Sequence, residues 1–262
     1  MEDSVNLTCH TDFKGQLTWK HNGKVLPKTE YAEMRGHDLI LHELGTPDAG
    51  DYSCWGGGEK LDHTYLLLQV EHNEVEEDLS CLTQTYSCSF TCHWSLKDFT
   101  VARLQYHRDG QDPGRWKYAD HSTSRENVFV FDDLSLSNSP FTEESSPIVV
   151  TAEAVSDSLY LKRTHRFYLR NIVQPDPPQS VLCERNGQKL TVTVEPPSSW
   201  AEPLSYFPLE HQIEYMYKDN GETKLSDNTM IPRGISKLRA RSRDPLVESA
   251  WSEWSPWKNV TN

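Results

Sequence analysis

Hydrophobic and polar residues alternate in short runs along most of the chain. The clearest runs span residues 5–9, 86–94, 167–173, 189–194, 213–217 and 237–243. Successive side chains of a β-strand point to opposite faces, so a period of two predicts strands that bury one face. Long patterns with the helical period are few. The chain is therefore predicted to be all-β and built from sandwiches of short strands.

Turn-forming residues separate these runs. The glycines at 56–58 follow a strand-like run and predict a hairpin turn, and Asn220 with Gly221 predicts another. Residues 108–122 are polar and rich in Gly, Pro and Asp, which predicts a loop.

A proline cluster divides the chain. Pro175, Pro177 and Pro178 cannot continue a central strand, and they favour a stiff, extended joint. An acidic stretch at 72–78 indicates another connection. The chain has 262 residues, and at roughly 100–200 residues per domain it contains two or three domains. The predicted domains are residues 1–71, 72–173 and 174–262.

Four residues of the first segment have the order and spacing of an immunoglobulin sandwich. They are Cys9, Trp19, Tyr52 and Cys54. In that fold two cysteines join the sheets and a tryptophan packs on their bridge, while a tyrosine two residues before the second cysteine forms a corner. Residues 1–71 are therefore predicted to be an immunoglobulin-like domain with a disulfide between Cys9 and Cys54.

The acidic charge suits a soluble secreted protein, although it can also serve solubility alone. The formal charge of -13 argues against nucleic acid and anionic membranes as partners. No stretch approaches the ~20 apolar residues of a membrane span, so no membrane insertion is expected. Glu2 and Asp3 follow Met1 directly, so we interpret the chain as a mature sequence with an added first residue or as an incomplete one. Sequons at Asn6 and Asn259 permit N-glycosylation.

Motifs that carry catalysis are absent from the sequence. It has no nucleophile elbow, zinc-protease helix, phosphate loop or dinucleotide fingerprint. Cys88, Cys92 and His93 have a metal-like spacing, but zinc takes four ligands and Cys92 is expected in a disulfide. We therefore expect a binding protein rather than an enzyme, with no cofactor and no metal.

The second and third segments resemble the class I cytokine-receptor homology module. Cys81 precedes a C-H-W string at 92–94, the proline hinge follows, and a W-S-E-W-S string stands at 251–255. The resemblance implies two fibronectin type III domains that meet at an elbow, whose loops hold a helical cytokine. It also implies a disulfide between Cys81 and Cys92.

Over nearly the whole chain, the sequence resembles the family of beta subunits shared by interleukin-12 and interleukin-23. The similar segments are residues 52–59, 66–68, 143–148, 175–178 and 200–207. The resemblance implies a secreted subunit that pairs with a four-helix-bundle alpha subunit, and a heterodimer that class I cytokine receptor chains bind. It further implies that the immunoglobulin-like domain contacts one of those chains. The alternatives are the ectodomain of a membrane-bound class I cytokine receptor and a soluble receptor-like subunit of another heterodimeric cytokine.

Three positions depart from the pattern of that family. Ser139 stands where mammalian members carry the cysteine that bridges to the alpha subunit. Cys88 and Cys183 have no counterpart, and we expect both to lie outside the two disulfides. The contact with an alpha subunit is therefore predicted to be non-covalent.

Arginines and tryptophans near the C-terminus predict a stacked ladder. Its members are Arg239, Arg241, Arg243, Trp251, Ser252, Trp254 and Ser255. The three arginines alternate, so they share one face of a strand. Each indole ring can stack on guanidinium groups, at ~0.5–2 kcal/mol per contact. We predict that the ladder stabilises the third domain; the alternatives are a partner contact and a solvated cationic face.

The family resemblance also implies a partner-binding site at the elbow. Asp244 aligns with the acidic residue that receives an arginine of the alpha subunit, and Tyr206, Phe207, Glu143 and Leu246 are expected around it. A buried carboxylate among aromatic rings is a good receiver, because a guanidinium forms bidentate hydrogen bonds and stacks on rings. The alternative is that Asp244 only caps the turn that follows it.

Overall fold

The computed structural model of the chain describes residues 4–70, 77–86, 89–97, 99–119, 126–132 and 144–260. Within these residues the helical structure consists of two short 3₁₀ turns, Thr46–Asp48 and Leu169–Asn171. The strands form six sheets, two for each of three consecutive sandwiches. The predicted fold class, an immunoglobulin-like sandwich followed by two fibronectin type III sandwiches, is confirmed.

The first sandwich buries its core between a three-stranded and a four-stranded sheet. Its strands are β1 Val5–Thr8, β2 Thr18–His21, β3 Lys24–Val25, β4 Ala32–Arg35, β5 Asp38–Leu41, β6 Gly50–Gly56 and β7 Glu59–Leu66. They pair in the orders β1-β5-β4 and β3-β2-β6-β7. Trp19 is buried beside Cys9 and Cys54 in this core. The Tyr52 hydroxyl donates to the Asp48 carbonyl at 2.6 Å, which is the tyrosine corner.

The hairpin between β6 and β7 has the turn that its glycines predict. Gly57 and Gly58 have φ angles of +62° and +90°, a region that side chains other than glycine rarely occupy. The predicted hairpin is therefore confirmed.

The second sandwich packs a three-stranded sheet on a five-stranded one. Its strands are β8 Leu68–Gln69, β9 Glu77–Leu82, β10 Ser89–Leu96, β11 Val101–Arg108, β12 Lys117–Tyr118, β13 Glu126–Asp132, β14 Ile148–Val155 and β15 Leu159–Phe167. The orders are β13-β10-β9 and β12-β11-β14-β15-β8. Phe90 and Trp94 of β10 and Leu104 of β11 fill the core because alternate positions of these strands face inward.

Two predictions for this sandwich were wrong in part. The alternating run at 167–173 is not a strand after Phe167, because Leu169–Asn171 forms a 3₁₀ turn. The Glu144 carboxylate accepts the backbone N–H groups of Leu169 and Arg170 at 2.9 and 3.3 Å, so these donors do not join a sheet. The loop expected at 108–122 contains the short strand β12, which pairs with β11.

The third sandwich pairs a three-stranded with a four-stranded sheet. Its strands are β16 Ser180–Asn186, β17 Lys189–Glu195, β18 Glu210–Tyr217, β19 Thr223–Ser226, β20 Met230–Pro232, β21 Ile235–Arg243 and β22 Lys258–Asn259. The orders are β16-β17-β20 and β19-β18-β21-β22. Ile213 of β18 and Leu238 of β21 are central to its core. The predicted hairpin at Asn220 and Gly221 joins β18 to β19 and is confirmed.

Hydrogen bonds connect the consecutive sandwiches. Strand β8 pairs in parallel with β15, and Tyr65 donates its hydroxyl to the Asp157 carbonyl at 2.7 Å. The predicted boundary at residue 71 stays a prediction, and β8, which precedes it, belongs to the sheet of the second sandwich. At the next junction the Gln174 N–H donates to Thr83 O at 2.8 Å, and the Gln174 side chain donates to the Trp251 carbonyl at 2.9 Å.

No helix among the described residues has the length and apolar character needed to cross a membrane.

Candidate functional site

Two disulfides are present among the described residues, with the pairing that was predicted. Cys9 and Cys54 join the two sheets of the first sandwich, with Cα atoms 6.1 Å apart. Cys81 and Cys92 lie directly opposite each other on β9 and β10, with Cα atoms 4.0 Å apart. Cys183 has a free thiol whose pKa is raised by burial.

The other positions predicted for disulfide, glycosylation or metal chemistry are either outside the described residues or on the surface. Cys88 and Ser139 lie outside the described residues. Asn6 on β1 and Asn259 on β22 are exposed, as N-glycosylation requires. Among the described residues no group of three or more His, Cys, Asp or Glu side chains could hold a metal ion.

The arginines of β21 and the tryptophans at the C-terminus interleave. Arg241 lies between the two predicted rings, with its guanidinium carbon 4.9 Å from the Trp251 centroid and 4.6 Å from the Trp254 centroid. Arg243 stacks on Trp251 at 4.7 Å, and Arg239 stacks on Trp254 at 4.9 Å. The structure thus brings the predicted arginines and indoles together in one continuous stack.

The stack is longer than the sequence motif indicates. Trp257 lies 4.5 Å from the Arg239 guanidinium and 4.7 Å from the ammonium of Lys237. Lys237 precedes Arg239 by two positions on β21, so it lies on the same face of the strand. We refer to this assembly of three indoles and four cations as the ladder.

A second set of side chains holds the arginines from the neighbouring strand. Glu214 accepts from Arg239 at 2.5 Å and Gln212 accepts from Arg241 at 2.6 Å. Glu210 forms the corresponding bond with Arg243. The sequence analysis missed these three residues of β18. They occur at every second position, as do the arginines of β21 that lie directly opposite them.

The serines of the W-S-E-W-S string pair with the backbone of β21. The Ser252 N–H donates to Ser242 O at 2.8 Å, and the Ser252 hydroxyl accepts the Ser242 N–H at 3.0 Å. Ser255 makes the same two bonds with Ala240, at 2.8 and 3.0 Å. Both serines are buried. Each hydroxyl therefore replaces the carbonyl that a regular strand would present.

Asp244 lies at the end of β21, where the second and third sandwiches meet. We call this junction the elbow; it comprises Tyr86, the hinge at 174–178 and the loops at 198–207 and 244–250. Asp244 is only 2% exposed. Its Oδ2 accepts the Tyr86 hydroxyl at 2.7 Å, and its Oδ1 accepts the Leu246 N–H at 2.7 Å. The carboxylate therefore caps its own turn and also binds a residue of the second sandwich.

No positive charge compensates this buried carboxylate within the described chain. No Lys, Arg or His side chain of the described residues lies within ion-pair distance of Asp244. Buried charges in proteins are usually paired or bound to metals, because transfer from water is costly. Asp244 is thus a charge with two neutral donors and unused acceptor capacity.

Aromatic rings of the third sandwich pack around Tyr86, the residue of the second sandwich that binds Asp244. The Tyr86 ring stacks on Phe207 with centroids 5.2 Å apart, and its edge meets Trp200 at 5.8 Å. The Trp200 Nε1–H donates to the Phe207 carbonyl at 3.0 Å, which fixes both rings. Sequence analysis placed Tyr86 in a strand, but β10 begins at Ser89 and the Tyr86 ring packs against the third sandwich.

The predicted site residues divide into exposed and buried ones. Tyr206 is 51% exposed and Leu246 is 71% exposed, so both can contact a partner. Phe207 is buried beneath Tyr206 and supports the Tyr86 ring. Glu143 lies outside the described residues.

Charges of the second sandwich also act on the elbow. Glu144 forms an ion pair with Arg108 at 3.0 Å, and both side chains are almost fully buried. The pKa of the Tyr86 hydroxyl is raised far above its usual value, mainly by burial and also by its bond to Asp244 and the charge of Glu144. Tyr86 is therefore a protonated donor at physiological pH.

Comparisons with known proteins show similarity to interleukin-12 beta subunits over nearly the whole chain. The family model described as "Cytokine interleukin-12p40 C-terminus" matches residues 76–156, and the immunoglobulin domain model matches residues 1–56. The chain is 30% identical to interleukin-12 subunit beta of Equus caballus over 97% of its own length and 85% of that protein. The corresponding proteins of Felis catus and Homo sapiens are 29% and 28% identical, with the same coverage of 97% and 85%.

Proposed function

Because the chain belongs to the interleukin-12 subunit beta family, we propose that it pairs with a four-helix-bundle alpha subunit to form a secreted heterodimeric cytokine. As a member of this family the chain is a cytokine beta subunit. In the proposal the heterodimer is of the interleukin-12 and interleukin-23 type and binds class I cytokine receptor chains. The chain contributes binding surfaces and no catalysis.

The buried carboxylate of Asp244 is the observation that carries this proposal. It is uncompensated within the described chain, and the exposed side chains of Tyr206 and Leu246 belong to the loops around it. A guanidinium from the alpha subunit would supply the missing positive charge, with bidentate hydrogen bonds and contacts to rings. Binding energy in protein interfaces concentrates on buried charges and aromatic residues at the centre of the contact.

The first test is Asp244→Ala, measured for affinity to a co-expressed alpha subunit. Truncation of one side of such a pair typically costs about 2–5 kcal/mol, so we expect affinity to fall at least about thirtyfold. The matched control is Asp219→Ala in the β18–β19 hairpin. Asp219 is exposed and accepts a backbone N–H from Asn220 at 2.9 Å, so the control also loses a turn contact, but far from the elbow.

The two variants separate binding from folding. The control should leave affinity and the secreted yield of the chain unchanged. A fall in Asp244→Ala affinity of less than about threefold, equivalent to ~0.7 kcal/mol, with normal secretion would contradict the proposed site.

A further inference from the structure

Tyr86 connects two sandwiches through a hydrogen bond to a charged acceptor. Its hydroxyl donates to Asp244 Oδ2 at 2.7 Å, across 158 positions of sequence. Tyr86 precedes β10 of the second sandwich, and Asp244 directly follows β21 of the third. Hydrogen bonds to ionised acceptors are shorter and stronger than neutral ones.

The Tyr86 ring is held on the third sandwich by packing as well. It stacks on Phe207 at an interplanar angle of 25° and meets Trp200 at 66°. These two rings and Val173, which lies just before the hinge, form one buried cluster with Tyr86 packed against it. The Tyr86 side chain is thus held on the third sandwich by two interactions, the packing of its ring and the hydrogen bond of its hydroxyl.

We propose that Tyr86 is an interdomain latch, a positioning residue that holds the Asp244 carboxylate and the elbow in their binding arrangement before the alpha subunit arrives. The effect on the alpha subunit rests on the proposed function. The latch itself is a property of the unpaired chain and is tested there.

The Asp244 carboxylate keeps acceptor capacity for a partner while the latch is closed. A carboxylate accepts about four hydrogen bonds, and Asp244 uses one on each oxygen, for Tyr86 and for the Leu246 N–H. One lone pair on each oxygen is left, which is the pattern that a bidentate guanidinium requires. Tyr86 fixes the orientation of the carboxylate, so a cation meets a preformed receiver and loses less conformational entropy on binding.

The experiment on the unpaired chain uses Tyr86→Phe, which keeps the ring and removes only the hydroxyl. The readout is hydrogen–deuterium exchange at the amides of Leu246 and Ser249, which bond to Asp244 Oδ1 and Asp244 O. Loss of the latch should raise their exchange rates about tenfold, because the carboxylate and its turn lose their anchor. Asp244→Asn has only one acceptor oxygen, which cannot serve Tyr86 and the Leu246 N–H together, so it should give the same change.

Tyr106→Phe is the matched control in the same sandwich. The Tyr106 hydroxyl donates to the Asp132 carbonyl at 2.7 Å, so the control loses one hydroxyl bond away from the elbow. Exchange at 244–249 should stay at the wild-type rate in this variant. Unchanged exchange in Tyr86→Phe, or equal increases in both phenylalanine variants, would overturn the latch.

Affinity for the alpha subunit tests the second half of the proposal. Tyr86→Phe should weaken binding about tenfold alone but by less than about twofold in an Asp244→Ala background, because the hydroxyl acts through that carboxylate. Additive losses, or normal affinity despite faster exchange, would refute a positioning role. Full affinity in Asp244→Ala would instead contradict the proposed function and leave the exchange result standing.

Discussion

Two buried carboxylates, Glu144 in the second sandwich and Asp244 at the elbow, differ in what neutralises them. Glu144 binds Arg108 at 3.0 Å and accepts two backbone N–H groups, so its charge is balanced within the chain. Asp244 accepts only a hydroxyl and a backbone N–H. The first arrangement is complete and holds the 3₁₀ turn before the hinge. The second lacks a cation, which is why we assign it to partner binding and the first to structure.

This contrast predicts a large effect of Glu144→Gln on stability. The substitution keeps an oxygen for the Leu169 N–H but removes the negative charge that Glu144 places 3.0 Å from the buried guanidinium of Arg108. Removal of one partner of a buried pair costs about 3–5 kcal/mol, so the free energy of unfolding should fall by that order. Chemical denaturation of the unpaired chain measures it.

An exposed ion pair of the same sandwich supplies the control for this substitution. Asp109 and Arg166 form a pair in which both side chains are at least 40% accessible to solvent. Asp109→Asn should therefore cost less than about 1 kcal/mol. Equal losses in the two variants would show that Arg108 and Glu144 are not coupled as their burial implies.

At the scale of elements, the ladder joins an irregular segment to a regular strand. The C-terminal segment presents indoles on one side of β21, and β18 presents carboxylates and an amide on the other. Buried Ser252 and Ser255 meanwhile satisfy backbone groups of β21 that would otherwise lack partners. These stacking contacts and hydrogen bonds of the ladder all join residues of the third sandwich, which supports a stabilising role.

Trp254→Ala should lower the secreted yield and the thermal stability of the chain together. Trp254 stacks on two guanidinium groups, and each contact contributes about 0.5–2 kcal/mol. The control is Trp55→Ala, which removes an indole that stacks on Lys20 alone, at 3.6 Å. A Trp254→Ala chain that is secreted normally but loses its partner would show that the ladder is a contact surface.

A structural feature can be predicted from the sequence when the residues that determine it are close together along the chain. The cysteine and tryptophan spacing of the first sandwich, the arginines of β21 and most alternating runs are local patterns that the structure contains. The 3₁₀ turn at Leu169–Asn171 depends on Glu144, 25 positions before Leu169, and no local pattern shows that bond. Likewise, nothing near Tyr86 in the sequence indicates that its hydroxyl reaches Asp244.

At the scale of the whole molecule, each junction between sandwiches is fixed by bonds of different kinds. Between the first two, backbone pairing of β8 with β15 is joined by a side-chain bond from Tyr65. Between the second and third, the side chains of Tyr86 and Gln174 add to the backbone bond from Gln174 to Thr83. Backbone pairing is independent of side-chain identity. A side-chain junction can instead respond to a ligand at the same residues, so the elbow is the junction at which partner binding and domain arrangement are coupled.

The last prediction concerns how the two subunits of the proposed heterodimer are held together. Ser139 stands where mammalian relatives are expected to have a bridging cysteine, and no cysteine occurs between Cys92 and Cys183. The described cysteines form two internal disulfides and one free thiol that is partly buried, at Cys183. We therefore expect a non-covalent pair whose affinity depends on the charge at Asp244 and on the exposed rim of the elbow.

Electrophoresis in SDS without reductant tests this expectation on the purified heterodimer. The subunits should separate, and the same sample should remain paired in size-exclusion chromatography under native conditions. A covalent band that disappears in Cys88→Ser or Cys183→Ser would place the link at that thiol and contradict the non-covalent pair. In the non-covalent heterodimer, Asp244→Ala should weaken native pairing, because the guanidinium of the alpha subunit loses its counter-charge, whereas a disulfide-linked heterodimer would stay paired.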